Sequence, residues 1–105
     1  MRRTITTIAT GFIVLILSAK ANAGCQTDGP RRHCSSVSAL SGTDTFRTQD
    51  GKPAHNIHPH ITKSSGLFTP RVVPTPQAEG STNFGIEWRI GSFSCVEYTV
   101  SYCTQ

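Results

Sequence analysis

The chain has 105 residues, with 10 Lys and Arg against 6 Asp and Glu. Much of the positive excess lies early: Arg2, Arg3 and Lys20 precede residue 24, whereas Asp28, Asp44, Asp50, Glu79, Glu87 and Glu97 all come after it. The remainder is close to neutral, which argues against a nucleic-acid partner, and its one dense basic run, Arg31-Arg32-His33, reads as a solvated loop.

Residues 1–23 have the order of a cleavable signal peptide. Arg2 and Arg3 supply the charge, Phe12 to Leu17 is an unbroken apolar run, and Ala21-Asn22-Ala23 supplies the small-residue cleavage site. The run is shorter than the roughly 20 apolar residues of a spanning helix, so no transmembrane segment is expected after cleavage. Ala23-Gly24-Cys25 also resembles the end of a lipoprotein signal. However, Asn22 stands where a Leu-like residue belongs, and lipidating Cys25 would leave an odd number of cysteines. Thr4-Ile5-Thr6 does not continue a twin-arginine signal after Arg2-Arg3. Residues 24–105 are thus expected to form one small extracytoplasmic domain, secreted or periplasmic. The absence of an N-x-S/T site fits a bacterial source.

From residue 24 to Cys34 the sequence reads as an irregular lead-in with a turn at Asp28-Gly29-Pro30. Residues 35–40 suit either a strand or one short helical turn, ended by Gly42. Residues 43–49 are threonine-rich around Phe46 and read as a weak strand. Asp50-Gly51 suits a tight hairpin turn, and Pro53 confines the returning strand to a sheet edge. Residues 55–60 read as a histidine loop. A strand is expected over 67–73, broken by Pro70, and Pro70, Pro74 and Pro76 make the next stretch extended and stiff. Residues 78–83 read as a polar loop.

The firmest pattern is at the end. Phe84, Ile86, Trp88 and Ile90 alternate with Gly85, Glu87 and Arg89, and Val96, Tyr98, Val100 and Tyr102 alternate likewise. Period 2 with β-formers predicts two strands, 84–90 and 94–103, each with one buried face. A three-residue loop, 91–93, pairs Trp88 with Val96, Ile86 with Tyr98 and Phe84 with Val100. That register buries one whole apolar face of a hairpin, at the cost of setting Glu87 against Glu97.

Four cysteines in a small exported chain point to a disulfide framework, and with no C-x-x-C pair a cysteine zinc site is not expected. Cys95 and Cys103 lie on one extended strand, about 26 Å apart at ~3.3 Å per residue, and a bridge needs Cα atoms within about 7 Å. Each must therefore reach Cys25 or Cys34. The preferred pairing is the nested one, Cys25–Cys103 with Cys34–Cys95, which fits an antiparallel neighbour one residue out of register; the parallel alternative exchanges the partners. The expected fold class is a mostly β, disulfide-stapled antiparallel sheet or sandwich.

The sequence supports three readings of function. The first is a non-enzymatic binding module of adhesin, toxin-subunit, host-interaction or inhibitor type, needing no cofactor and directed at another protein or a cell-surface ligand. The stiff segment Pro70-Arg71-Val72-Val73-Pro74-Thr75-Pro76 is one place where such a surface would be presented. The second uses His55, His58 and His60 as zinc or copper ligands, because neutral imidazole is the commonest metal-binding side chain. The third is a small secreted hydrolase of ribonuclease type. There Glu87 and Arg89, with Glu97 across from them and a histidine nearby, would supply base, anion clamp and acid.

Overall fold

The computed structural model describes residues 24–104; the predicted signal peptide, residues 1–23, lies outside the described residues. Six strands succeed one another: β1 (Cys25–Ser35), β2 (Leu40–Arg47), β3 (His55–Ser65), β4 (Arg71–Pro74), β5 (Asn83–Ile90) and β6 (Ser94–Cys103). They form two three-stranded antiparallel sheets, in the orders β1-β6-β3 and β2-β5-β4. The fold is all-β and disulfide-stapled, and of the two architectures expected it takes the sandwich.

The C-terminal hairpin unit, β5–turn–β6, stands within one residue of the predicted bounds and supplies the central strand of each sheet. Its arms do not ladder with each other, so the expected register of Trp88 with Val96 is not made. Trp88 instead stands opposite Gly42 on one side and Val72 on the other, while Val96 stands opposite His33 and Ser64. The apolar faces of β5 and β6 meet across the sandwich, where Phe84 packs edge-on against Tyr102 at 5.3 Å between ring centroids. Phe46 of β2 stacks on Phe84 and meets Tyr98 edge-on. Every second residue of β6 from Ser94 to Tyr102 is buried, which is the alternation the sequence carries.

Cys25 is bonded to Cys103 and Cys34 to Cys95. Both are directly opposed pairs of the β1–β6 ladder, so the arrangement is the nested antiparallel one. The one-residue offset is taken up by a register shift between Asp28 and Arg31. Gly29 lies within it at φ 104°, and a Cβ there would come within 3.2 Å of the Tyr98 carbonyl oxygen. Only glycine fits that bulge without strain. With its sulfur in the bridge, Cys25 is not free to carry a lipid.

Five local expectations are corrected. The lead-in is the long strand β1, because ladder pairing with β6 and two bridges impose extension on a segment with no apolar pattern. Residues 36–39 are the connection to β2, neither strand nor helical turn. The histidine loop is the first half of β3. Of the strand expected over 67–73, only Arg71–Pro74 forms, and Leu67 to Pro70 belong to a loop. The Asp50-Gly51 turn is present, with Gly51 at φ 73° and the Lys52 N–H donating to Asp50 Oδ1 at 3.0 Å. It leads across to the other sheet, however, and not into a hairpin partner.

Candidate functional site

Three polar or chemically active constellations emerge from this frame. The first bridges the two sheets on the side where the edge strands β1 and β2 approach. Beyond the bulge, β1 turns Arg31 and His33 inward. The Arg31 guanidinium lies over the Phe46 ring, 4.2 Å from its centroid, and donates to the Thr45 carbonyl oxygen at 3.2 Å. The His33 ring stacks on Trp88, with centroids 3.8 Å apart and planes 11° from parallel. The Trp88 ring lies close over Gly42, where a Cβ would come within 2.7 Å of it, so the glycine makes room for the ring. His33 Nε2 donates to Asp44 Oδ2 at 2.7 Å, and the Tyr98 hydroxyl donates to the same oxygen. One carboxylate thus ties β1, β2 and β6 together.

Burial, and then the hydrogen bond to Asp44, pushes the Tyr98 phenol above its ordinary value of 10.0. Burial also raises Tyr102. Each phenol keeps its proton in the folded protein where the unfolded chain releases it. Stability is therefore full below pH 10 and falls as pH rises beyond it. These are the chain's two tyrosines. Tyrosinate absorbance near 295 nm is expected to stay flat through about pH 10 and to appear only in step with loss of the circular-dichroism signal. Gradual titration of either tyrosine in the folded state would refute their placement.

The second constellation is the outer face of the β2-β5-β4 sheet. Glu87 and Arg89 project there from β5, as their alternation with buried Ile86 and Ile90 requires. Arg89 stands directly opposite Arg71 on β4 and Ser41 on β2, and Glu87 stands opposite Val73 and Thr43. Together these residues floor a shallow concavity of about 370 Å³. Among the described residues the only ion pair within 4.0 Å is His33–Asp44, so neither arginine has a carboxylate partner. Arg71 and Arg89 also border a second hollow of about 300 Å³, which leads past Phe68 and Ile90 to the end of the sandwich.

The third is the histidine strand. His55, His58 and His60 are all exposed on β3. His58 and His60 alternate with Ile57 and Pro59 and so share the outer face. His55 lies beyond a register shift, opposite Cys103. His60 Nε2 is 3.2 Å from Ser101 Oγ. Among the described residues no group of three His, Cys, Asp or Glu side chains is arranged to hold a metal ion. Nearby, Glu79 accepts the backbone N–H groups of Ile57 and Asn56 at 2.9 and 3.0 Å, and these hold its carboxyl below the usual range.

The hydrolase residues are not brought together. Glu87 and Arg89 share a face, but Glu97 is on the other sheet, opposite Arg32 and Lys63. His33 packs on Trp88, which alternates with Glu87 and Arg89 on β5 and so faces away from them. The sequence presents Arg71 and Arg89 separately, and nothing in it sets them side by side. It gives no sign of the Asp44 cluster, because an isolated Asp in a threonine-rich strand does not announce its partners. The chain matches no family model, no curated protein and no solved structure.

Proposed function

We propose that the protein is an exported, non-enzymatic binding module, and that the outer face of the β2-β5-β4 sheet receives an anionic group of its ligand. The carrying observation is the Arg71–Arg89 pair. Like charges directly opposite one another on adjacent strands destabilise a sheet. Among the described residues no carboxylate within 4.0 Å offsets them, and they open onto a concavity with the Ser41 and Thr43 side-chain positions beside them. Two guanidinium groups flanked by hydroxyls form a donor set suited to phosphate, sulfate or carboxylate. The two disulfides fit an oxidising compartment outside the cytoplasm. A secreted or periplasmic location is the reading that also takes up the signal sequence.

Titration with inorganic phosphate tests this, monitored through the amide signals of the protein. Shifts are expected to concentrate at Ser41, Thr43, Arg71 and Arg89, and to vanish in the Arg71→Ala/Arg89→Ala variant. Shifts spread evenly over the surface, or surviving in that variant, would defeat the reading.

A further inference from the structure

The connections at one end of the sandwich carry an apolar cluster that the fold leaves uncovered. β1 ends at Ser35 opposite Ser94, β3 ends at Ser65 opposite Cys95, and β2 and β4 begin at Leu40 and Arg71 opposite Ile90 and Arg89. The three connections 36–39, 66–70 and 91–93 therefore emerge at the same end. They present Val37 at 75% exposure, Leu67 at 95%, Phe68 at 64% and Phe93 at 73%. The loops pack on one another: Phe68 rests against Gly91, where a Cβ would come within 2.7 Å of its ring.

Two features set this end apart from a patch of scattered surface apolar residues. Phe93 holds a left-handed backbone, φ 54°. That conformation is costly for a bulky residue, and an Asn or Gly would adopt it with less strain. An aromatic ring is therefore kept at the tip of the turn against the local preference. The loops 36–39, 66–70 and 91–93 also contain no charged residue. The first charges behind them are Arg71 and Arg89, followed by Lys63 and Arg32, with Glu87 and Glu97 as the only nearby acids. The hollow between Phe68 and the arginine pair makes the apolar tip and the cationic face continuous.

We infer that this end of the sandwich docks on an anionic lipid bilayer. The four apolar side chains enter the headgroup–acyl boundary, and Arg71 and Arg89 take lipid phosphates. The inference rests on the anion-binding reading above and names the source of the anion. A convex, uncharged apolar tip with a basic collar is the arrangement that combines apolar insertion with attraction to a negative surface. Arginine suits the collar because its stem covers apolar surface while its head stays with phosphate.

The test is flotation of the exported protein, recovered after secretion with its disulfides formed and its N-terminus verified. Vesicles of phosphatidylcholine containing phosphatidylglycerol are compared with vesicles of phosphatidylcholine alone. Binding is expected to the anionic vesicles, weakened by salt, and reduced about tenfold or more by Leu67→Ser/Phe68→Ser. Phe93→Asn separates docking from folding: it is expected to leave the unfolding midpoint unchanged or raised while weakening vesicle binding. Equal binding to both vesicle types, no binding to either, binding indifferent to the loop variants, or a dimer that these variants dissolve would each overturn the inference. Phosphate shifts at Arg71 and Arg89 without vesicle binding would overturn it while leaving the anion site standing. Vesicle binding without those shifts would defeat the anion site and take the arginines out of the contact, leaving only insertion of the apolar loops.

Discussion

Replacing Cys34 and Cys95 together by alanine is expected to destabilise the domain by about 3 kcal/mol, and removing both bridges is expected to unfold it. The two bridges are nested between the same pair of strands. With one in place, the other closes only a short ring, made of the stretch between Cys25 and Cys34 and the stretch between Cys95 and Cys103. A ring of that size corresponds to about 3 kcal/mol in the chain-entropy model. The bridge left alone then closes most of the chain, which is worth about 4 kcal/mol. Losing both thus costs more than the sum of two short rings, and it approaches the whole stability of a domain this small. β1 buries little apolar surface of its own: Ser35 is its one buried residue, and its remaining inward contacts are those of the half-buried Arg31 and His33. Thermal melts should show a midpoint lower by about 10 °C or more in the single-bridge variant, on the order expected for this chain length. They should show no cooperative transition after full reduction. An unchanged midpoint in the Cys34→Ala/Cys95→Ala variant would mean that strand pairing alone secures β1.

β1 also shows why part of the fold is hidden in the sequence. Beyond the bulge its large inward side chains are Arg31 and His33, half-buried on the faces of Phe46 and Trp88. The sequence there shows no apolar alternation, only a basic run. In β3 the inward positions are Ile57 and Pro59, too few to raise a pattern against three histidines. β5 and β6 are legible because each alternates cleanly over its whole length. Their alternation does not say how they pair, however. A hairpin with one buried face and two strands facing each other across a sandwich require the same sequence. Here β5 is laddered on both sides by β2 and β4, and β6 by β1 and β3, so neither arm has an edge left for the other. The cysteine pairing is legible in part: extension of β6 forbids a Cys95–Cys103 bridge whatever the rest of the chain does, and the choice between the two pairings left depends on β1 running antiparallel to β6. The candidate surfaces are the least legible. Arg71 and Arg89 become neighbours only through the β4–β5 register, and the exposure of Leu67, Phe68 and Phe93 depends on where three loops emerge.

A large effect of a single polar substitution is expected at Asp44. Its carboxylate, only 12% exposed, accepts from His33 and from Tyr98, and Tyr98 is fully buried. Asp44→Ala leaves the Tyr98 hydroxyl in the core without an acceptor and releases His33 from the edge of the sandwich. A cost of about 2–4 kcal/mol results, tempered by the partial exposure of His33. Asp44→Asn keeps an acceptor oxygen and should lose less. The decisive comparison is a double-mutant cycle. Tyr98→Phe is expected to cost about 1 kcal/mol in the native background and to recover stability beside Asp44→Leu, where it removes a buried hydroxyl left without an acceptor. Additive losses would mean that the two side chains do not act on each other. The same variants distinguish a latch from a site. Asp44, His33 and Tyr98 lie between the sheets, whereas the arginine face and the apolar loops lie outside them. Below its lowered melting temperature, Asp44→Asn should therefore bind anionic vesicles as the native protein does. A stability deficit with intact binding would place the cluster among the residues that close the open side of the sandwich and hold its outer surfaces in register.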